Sequence, residues 1–199
     1  MNQVHILVEG YAHPGENGAY HASPTSTLIT TRDNKKILVD PGTNAAKLLE
    51  ALAKLSINES DLTGIFLSHY HPDHFLNIRL FPNTDVYDGG ILWQGDRETF
   101  YESTIPGTDI EILKTPGHAD EDASLLVKTA EGIVCIAPDV FWWEDGNQKT
   151  DNINDLLSLV DPFANNPAAL LESRKLVISK ADIIIPGHGR KFENHFRMS

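Results

Sequence analysis

Ser68-His69-Tyr70-His71-Pro72-Asp73-His74 sets three imidazoles and a carboxylate inside six residues, and no other stretch of the chain is as dense in metal-ligand chemistry. It continues Gly64-Ile65-Phe66-Leu67-Ser68, a short apolar run suited to a buried strand. Side chains along extended chain alternate with a period of two, so His69 and His71 point the same way. Pro72 biases His71 away from helical backbone, yet itself fits the first turn of a helix. Asp73 and His74 then lie in that turn, re-aimed beside the first two rings. Two imidazoles on one side, with a carboxylate and a third imidazole on the other, can hold two metal ions close together. The competing reading, a histidine-rich surface loop, accounts for one such residue better than for four in this order.

Working outward, Val4 to Val8, Thr25 to Thr31 and Lys36 to Val39 read as strands, the last two joined as a hairpin by Asp33-Asn34. Gly10 to Gly18 reads as loop from its Gly, Pro and Asn content. Asn44 caps a helix to about Leu55, with Leu48, Leu49, Leu52 and Leu55 at helical spacing. Beyond the motif, Asp85 to Tyr87 and Asp109 to Lys114 read as strands, the latter running into Thr115-Pro116-Gly117-His118. Ala123 to Thr129 and Gly132 to Ala137 form a second hairpin that ends at Pro138-Asp139. Glu144 to Asn154 reads as loop, and Leu156 to Val160 and Pro167 to Lys180 as helix. Asp182 to Ile185 is a last strand, running into Pro186-Gly187-His188-Gly189. Each half thus presents a hairpin, a helix and a His-bearing strand end, a pseudo-duplicated α/β layout. His71 and His74, His118, Asp139 and His188 all fall just past strand ends, where ligand sites gather in layered α/β folds.

Composition narrows the class. At 199 residues, residues 1–199 are expected to form one domain, and 41% hydrophobic residues is ordinary for a globular chain. No apolar run approaches the roughly 20 residues of a membrane span, and the N-terminus lacks a basic start, so a cytoplasmic protein with no membrane partner is expected. A net charge of −12 disfavours nucleic acid as a general partner and leaves a small-molecule substrate as the expected one. A homo-oligomer is compatible with the sequence. Arg174, Lys175, Lys180, Arg190, Lys191 and Arg197 crowd the C-terminal quarter and read first as a solvated helix face and tail. Cys135, in a strand-like run, reads as a small core residue.

Two readings stand for Asp40, at the end of the third strand: a turn-forming Asp-Pro, and a carboxylate that orients a metal-bound histidine. Phe141-Trp142-Trp143, Tyr11 and Tyr70 divide evenly between lining a cleft and plain packing. His5, His13, His21 and His195 lack ligand spacing. The imidazole-rich set suits Zn, and also Fe or Mn, better than Mg or Ca.

His69-x-His71-x-Asp73-His74, followed by His118, Asp139 and His188, resembles the binuclear pattern of the metallo-β-lactamase-fold hydrolase superfamily from Asp40-Pro41-Gly42 to Pro186-Gly187-His188-Gly189. Leu80-Phe81-Pro82-Asn83, Thr115-Pro116-Gly117-His118, Asp139-Val140-Phe141 and Asp161-Pro162 resemble a group related to its glyoxalase II branch. The resemblance implies an α/β fold, the αββα four-layer sandwich, with the site at one edge of two sheets. It implies two divalent metal ions, one held by His69, His71 and His118, the other by Asp73, His74 and His188, with Asp139 bridging. It further implies a metal-bridging hydroxide that cleaves an ester, thioester or lactone, with Asp73 as catalytic proton donor to the leaving atom. A bridging Asp139 is not the usual pattern of true β-lactamases. The chain also ends soon after His188, without the helical domain that typical glyoxalase II enzymes carry for glutathione.

Two other activities occur in this superfamily. One is phosphodiester cleavage of single-stranded RNA, to which the C-terminal basic residues point. The other is persulfide oxidation at one iron held by the equivalents of His69, His71, His118 and Asp139. One iron per chain favours oxidation, and two zincs favour hydrolysis.

Overall fold

The computed structural model describes residues 1–197. In chain order the elements begin β1 (Gln3–Val8), β2 (Tyr11–Pro14), β3 (Tyr20–Ser23), β4 (Ser26–Thr30), β5 (Lys36–Val39), α1 (Ala45–Lys54), β6 (Gly64–Phe66), α2 (Pro72–Phe75), β7 (Val86–Tyr87), β8 (Ile91–Gln94) and β9 (Arg97–Phe100). They continue with β10 (Glu111–Lys114), β11 (Ala123–Thr129), β12 (Gly132–Ile136), α3 (Ile153–Leu157), α4 (Pro167–Lys180), β13 (Ile183–Ile185) and β14 (Phe192–Glu193).

Two mixed sheets carry the architecture. The first has seven strands in the order β1-β4-β5-β6-β7-β8-β9, and the second five in the order β10-β11-β12-β13-β14. The parallel neighbours β5–β6 and β12–β13 are each bridged by a helix, α1 and α4, as parallel pairing demands. The duplicated hairpin–helix–strand layout read from the sequence is present in both halves.

Period two sorts the side chains into layers. Ile37, Val39 and Phe66 of the first sheet pack with Leu125, Val127, Val134, Ile136 and Ile185 of the second, forming the core between the sheets. The residues that alternate with them face outward under helices. Leu38 and Ile65 pack with Leu48 and Leu52 of α1. Leu126, Cys135 and Ile184 pack with Val177 and Ile178 of α4 and Leu156 of α3. A one-residue slip would turn every one of these side chains to the wrong layer, which pins the register. The result is helix, sheet, sheet, helix: the αββα sandwich.

The helices start where asparagines satisfy free amides. Asn44 Oδ1 accepts from the Lys47 amide at 3.1 Å, and Asn166 Oδ1 from that of Ala169 at 3.1 Å, with Pro167 opening α4. On α1 only Leu48 and Leu52 are buried, and Leu49 and Leu55 face solvent.

Several expectations are corrected. The segment Gly10 to Gly18 is not all loop: β2 pairs with β3 in a hairpin, since Ala12 alternates inward to full burial while Asn17 takes the left-handed backbone of the turn. The helix expected over Leu156 to Val160 begins at Ile153 and stops at Leu157, because Asn152 caps it by accepting from the Asn154 amide. Arg174 is not on a solvated face. It is buried and donates to the carbonyls of Val140 and Leu159. β8 and β9 complete one edge of the first sheet and β14 one edge of the second, strands beyond those the sequence pattern predicts. Among the described residues, no helix is long and apolar enough to cross a membrane.

Candidate metal centre

The backbone past β6 stays extended, with the Leu67 amide donating to the Tyr87 carbonyl at 2.8 Å. His71 is held at φ −73°, ψ 136° before Pro72, which opens α2. The His74 amide then donates back to the His71 carbonyl at 2.9 Å, folding the turn over the strand end. His69 thereby lies 4.6 Å from His71 and 4.1 Å from His74, ring centre to ring centre.

Three other strand ends supply the rest. His118 follows β10 through Gly117, whose φ is 142° and whose missing Cβ would stand 2.3 Å from the Leu170 amide. Asp139 follows β12, and His188 follows β13 through Gly187, where a Cβ would stand 2.0 Å from Asp139 Oδ1. Only glycine allows those approaches.

The side chains fall into two sets, each with ligand atoms within 4.8 Å of one another: His69, His71, His118 and Asp139, and then Asp73, His74 and His188. All seven residues proposed from the sequence are therefore brought together. Asp139 faces both sets. Its Oδ2 lies 3.2 Å from His118 Nε2, and its Oδ1 lies 3.3 Å from His74 Nε2 and 3.8 Å from His188 Nε2. Asp73 Oδ2 lies 3.3 Å from His188 Nε2.

These residues fit a pair of cations on internal grounds. His69 Nε2, His74 Nε2, His188 Nε2 and Asp139 Oδ1 are buried and lack a hydrogen-bond partner. Orphaned buried polar atoms are costly, and four of them converging is the signature of ligand atoms. His71 Nδ1 and His118 Nε2 also converge, at 2.8 Å.

The outward Nδ1 atoms of His69, His74, His118 and His188 are engaged. Asp40 Oδ2 accepts from His74 Nδ1 at 2.8 Å, while Asp40 also accepts from the Ser68 amide and hydroxyl. Asp40 is thus the orienting carboxylate, not merely a turn residue. Asp161 Oδ2 lies 2.7 Å from His118 Nδ1, Asp122 Oδ1 lies 3.1 Å from His69 Nδ1, and the Tyr11 carbonyl accepts from His188 Nδ1 at 3.0 Å. Such partners hold the proton outside and leave a lone pair facing in. The sequence reading assigns no imidazole-orienting role to Asp122, Asp161 or the Tyr11 carbonyl. Nothing in their local context separates them from ordinary turn and loop residues.

Electrostatics divides the set. Burial alone would raise Asp139, but His74 and His188 hold it well below the usual carboxylate range. Burial, then the neighbouring His74, pushes His69 well below the usual imidazole range, so that ring is neutral. His74 rises despite burial, because Asp139 and Asp40 flank it.

The aromatic and leftover residues sort out clearly. Phe141 and Trp143 are core of the α4 layer, whereas Trp142 stands 5.7 Å from the His188 ring. Tyr11 stacks under Lys47, and Tyr70 is exposed and donates to Asp88. His13 and His21 pair across the β2–β3 hairpin, 5.2 Å apart, and with His5 and His195 lie outside both sets. The hairpin histidines line a cavity of about 1110 Å³, which is bordered by none of the seven clustered residues.

Two facing mixed sheets under helices, with a His/Asp cluster at the strand ends, define a class, and the match to the metallo-β-lactamase superfamily model spans residues 21–188. The chain belongs to the metallo-β-lactamase superfamily. It is 31% identical over 202 residues to metallo-beta-lactamase domain-containing protein 1 of Xenopus laevis, covering 96% of this chain and 81% of that protein. It is 31% identical over 227 residues to the Homo sapiens protein of the same name, covering 95% of this chain and 81% of that one. Among solved structures it resembles a quorum-quenching N-acyl homoserine lactone lactonase, with TM-score 0.62, 20% identity and coverage of 94% and 91%. It also resembles a protein crystallised in a di-iron-bound form, with TM-score 0.61, 17% identity and coverage of 96% and 98%. At such identities the structural likeness concerns the fold alone.

Proposed function

We propose that the protein is a binuclear metal-dependent hydrolase that cleaves an ester, thioester or lactone. The observation that carries this reading is Asp139, which offers one oxygen to each histidine set. His69, His71 and His118 would hold one divalent ion, Asp73, His74 and His188 a second, and Asp139 both. Zinc and iron both suit these donors. Bound ions of this kind supply Lewis acidity, activating water near neutral pH and polarising a carbonyl.

The chain's own groups do the rest. Asp40, Asp122, Asp161 and the Tyr11 carbonyl fix the imidazole tautomers. Asp73, less buried than Asp139, sits at the rim of the cluster as a carboxylate; it takes the proton released by the attacking water and passes it to the leaving atom. The net charge of −12 repels polyphosphate and favours a small neutral substrate. A structural neighbour that is an N-acyl homoserine lactone lactonase supports the same substrate class.

The test is turnover of a panel of thioesters, lactones and aryl esters by protein of measured metal content, beside His71→Ala. Activity lost in the variant, with two metal ions per chain, is expected. Inertness across the panel rejects the reading. One iron per chain with persulfide oxidation, or RNA cleavage lost in His118→Ala, would replace it.

A further inference from the structure

The geometry points to an apolar subsite built on Phe163 and Trp142, which takes the acyl chain of the substrate; this inference rests on the hydrolase reading above. Trp142 is 7% exposed and lies between two rings, His188 at 5.7 Å and Phe163 at 5.4 Å. The row therefore runs from a residue of the second ligand set out to solvent, where Phe163 is 55% exposed.

Phe163 is not on a loose loop tip. Its amide donates to Asp161 Oδ1 at 2.9 Å, and the other oxygen of Asp161 holds His118 Nδ1. The Asn165 amide donates to the His118 carbonyl at 3.1 Å, and the Asn166 amide to the Gly117 carbonyl at 2.8 Å. Behind the segment, buried Arg174 donates to the Leu159 carbonyl. One short segment is thus fastened to a histidine of the first set and presents an aromatic ring against Trp142, which in turn packs beside a histidine of the second. A group bound at the cluster with its carbonyl inward would send its substituent out along this aromatic row, past Trp142 towards Phe163.

The size of the surface argues for a substrate chain over a macromolecular partner. Phe163 and the neighbouring Val160, 80% exposed, offer far less than the ~800 Å² per partner of a stable protein interface. The ion pairs around the cluster are all between histidine and carboxylate, and among the described residues no lysine or arginine is paired there to select an anionic tail.

The test uses the full zinc-loaded chain and straight-chain thioesters of one thiol, from acetyl to octanoyl. It is paired with calorimetric binding of acetate and octanoate, which needs no turnover. In the wild type, kcat/KM and carboxylate affinity are expected to rise about tenfold from the two-carbon to the eight-carbon chain, the effect of burying about two methylenes. Phe163→Ala should lose most of that rise and Phe163→Leu keep much of it. Phe100→Ala, an exposed ring on β9, should keep all of it. No length dependence in the wild type overturns the inference, as does one that survives Phe163→Ala, or a loss equal at all lengths. Phe163-dependent octanoate binding without turnover of any thioester rejects the hydrolase reading and leaves the apolar subsite standing.

Discussion

His74 Nδ1 lies 2.8 Å from Asp40 Oδ2, and neither side chain reaches solvent. The same carboxylate accepts from the Ser68 amide at 2.9 Å and the Ser68 hydroxyl at 2.7 Å, so it ties the end of β6 to the first turn of α2. Asp40 itself sits in left-handed backbone, φ 45°, which asparagine tolerates. Asp40→Asn therefore changes the acceptor and its charge with little backbone strain. Zinc affinity of the set formed by Asp73, His74 and His188 is expected to fall about 10–100-fold. Chelator competition measures it, and an unchanged affinity would falsify the orienting role.

Gly187 offers a steric test that changes no ligand residue. Alanine there would set its Cβ 2.0 Å from Asp139 Oδ1 and 2.8 Å from the Pro138 carbonyl carbon. Asp139 must then move off its position between the two sets. We expect Gly187→Ala to weaken metal binding about tenfold or more. Gly95→Ala is the control: its φ is 66° but nothing lies within 4 Å of the added carbon, so it should affect only stability, by about 1 kcal/mol. Equal metal affinities in the two variants count against the crowding argument.

Arg174 is buried, and burial lowers its pKa to about 10, which still leaves it charged at neutral pH. Its Nε donates to the Val140 carbonyl at 2.9 Å while the far end of the guanidinium serves Leu159. Lysine lacks the planar fork that reaches both carbonyls. Arg174→Lys should destabilise the protein by roughly 1–3 kcal/mol in urea unfolding. Because Leu159 and Asp161 share one segment, metal should also dissociate faster from the set that includes His118. A variant as stable as the wild type would contradict this.

Asp182 anchors the C-terminal edge. Its Oδ2 accepts from the Ile133 amide at 2.7 Å, and its Oδ1 pairs with Arg197. The amide and then the guanidinium hold its carboxyl below the usual carboxylate range. A carboxyl lowered on folding stabilises above its unfolded pKa, about 3.9, and that contribution fades as pH falls through the folded value. Asp182→Ala should therefore lower stability by about 1 kcal/mol at pH 7, with the gap to wild type closing below about pH 4. Urea unfolding across that range checks it; a gap independent of pH would contradict the assignment.

The stretch from His69 to His74 was readable because its constraints are local. Alternation along a strand, the restriction before Pro72 and the fit of proline to a first helical turn all act within a few bonds. Asn44 announced its helix for the same reason, through an acceptor for a nearby amide. The hairpin of β2 and β3 was not legible, since Gly10, Pro14, Gly15 and Gly18 mask two strands whose pairing rests on Ala12 being buried by residues far along the chain. α3 began early because the cap at Asn152 prevailed over the apolar pattern that favoured a later start.

The sequence by itself determined that ligand-type residues stand past four strand ends, and the period of two that separates the helix-facing from the sheet-facing side chains. Only the tertiary structure decided which ligands share a set, that Asp139 faces both, and that Asp122, Asp161 and a Tyr11 carbonyl hold the imidazole protons. Dihedral preferences reach a few residues and no further. A carboxylate in a turn looks the same whether it meets water or a histidine more than forty positions away, as Asp161 meets His118, and folding alone removes the water.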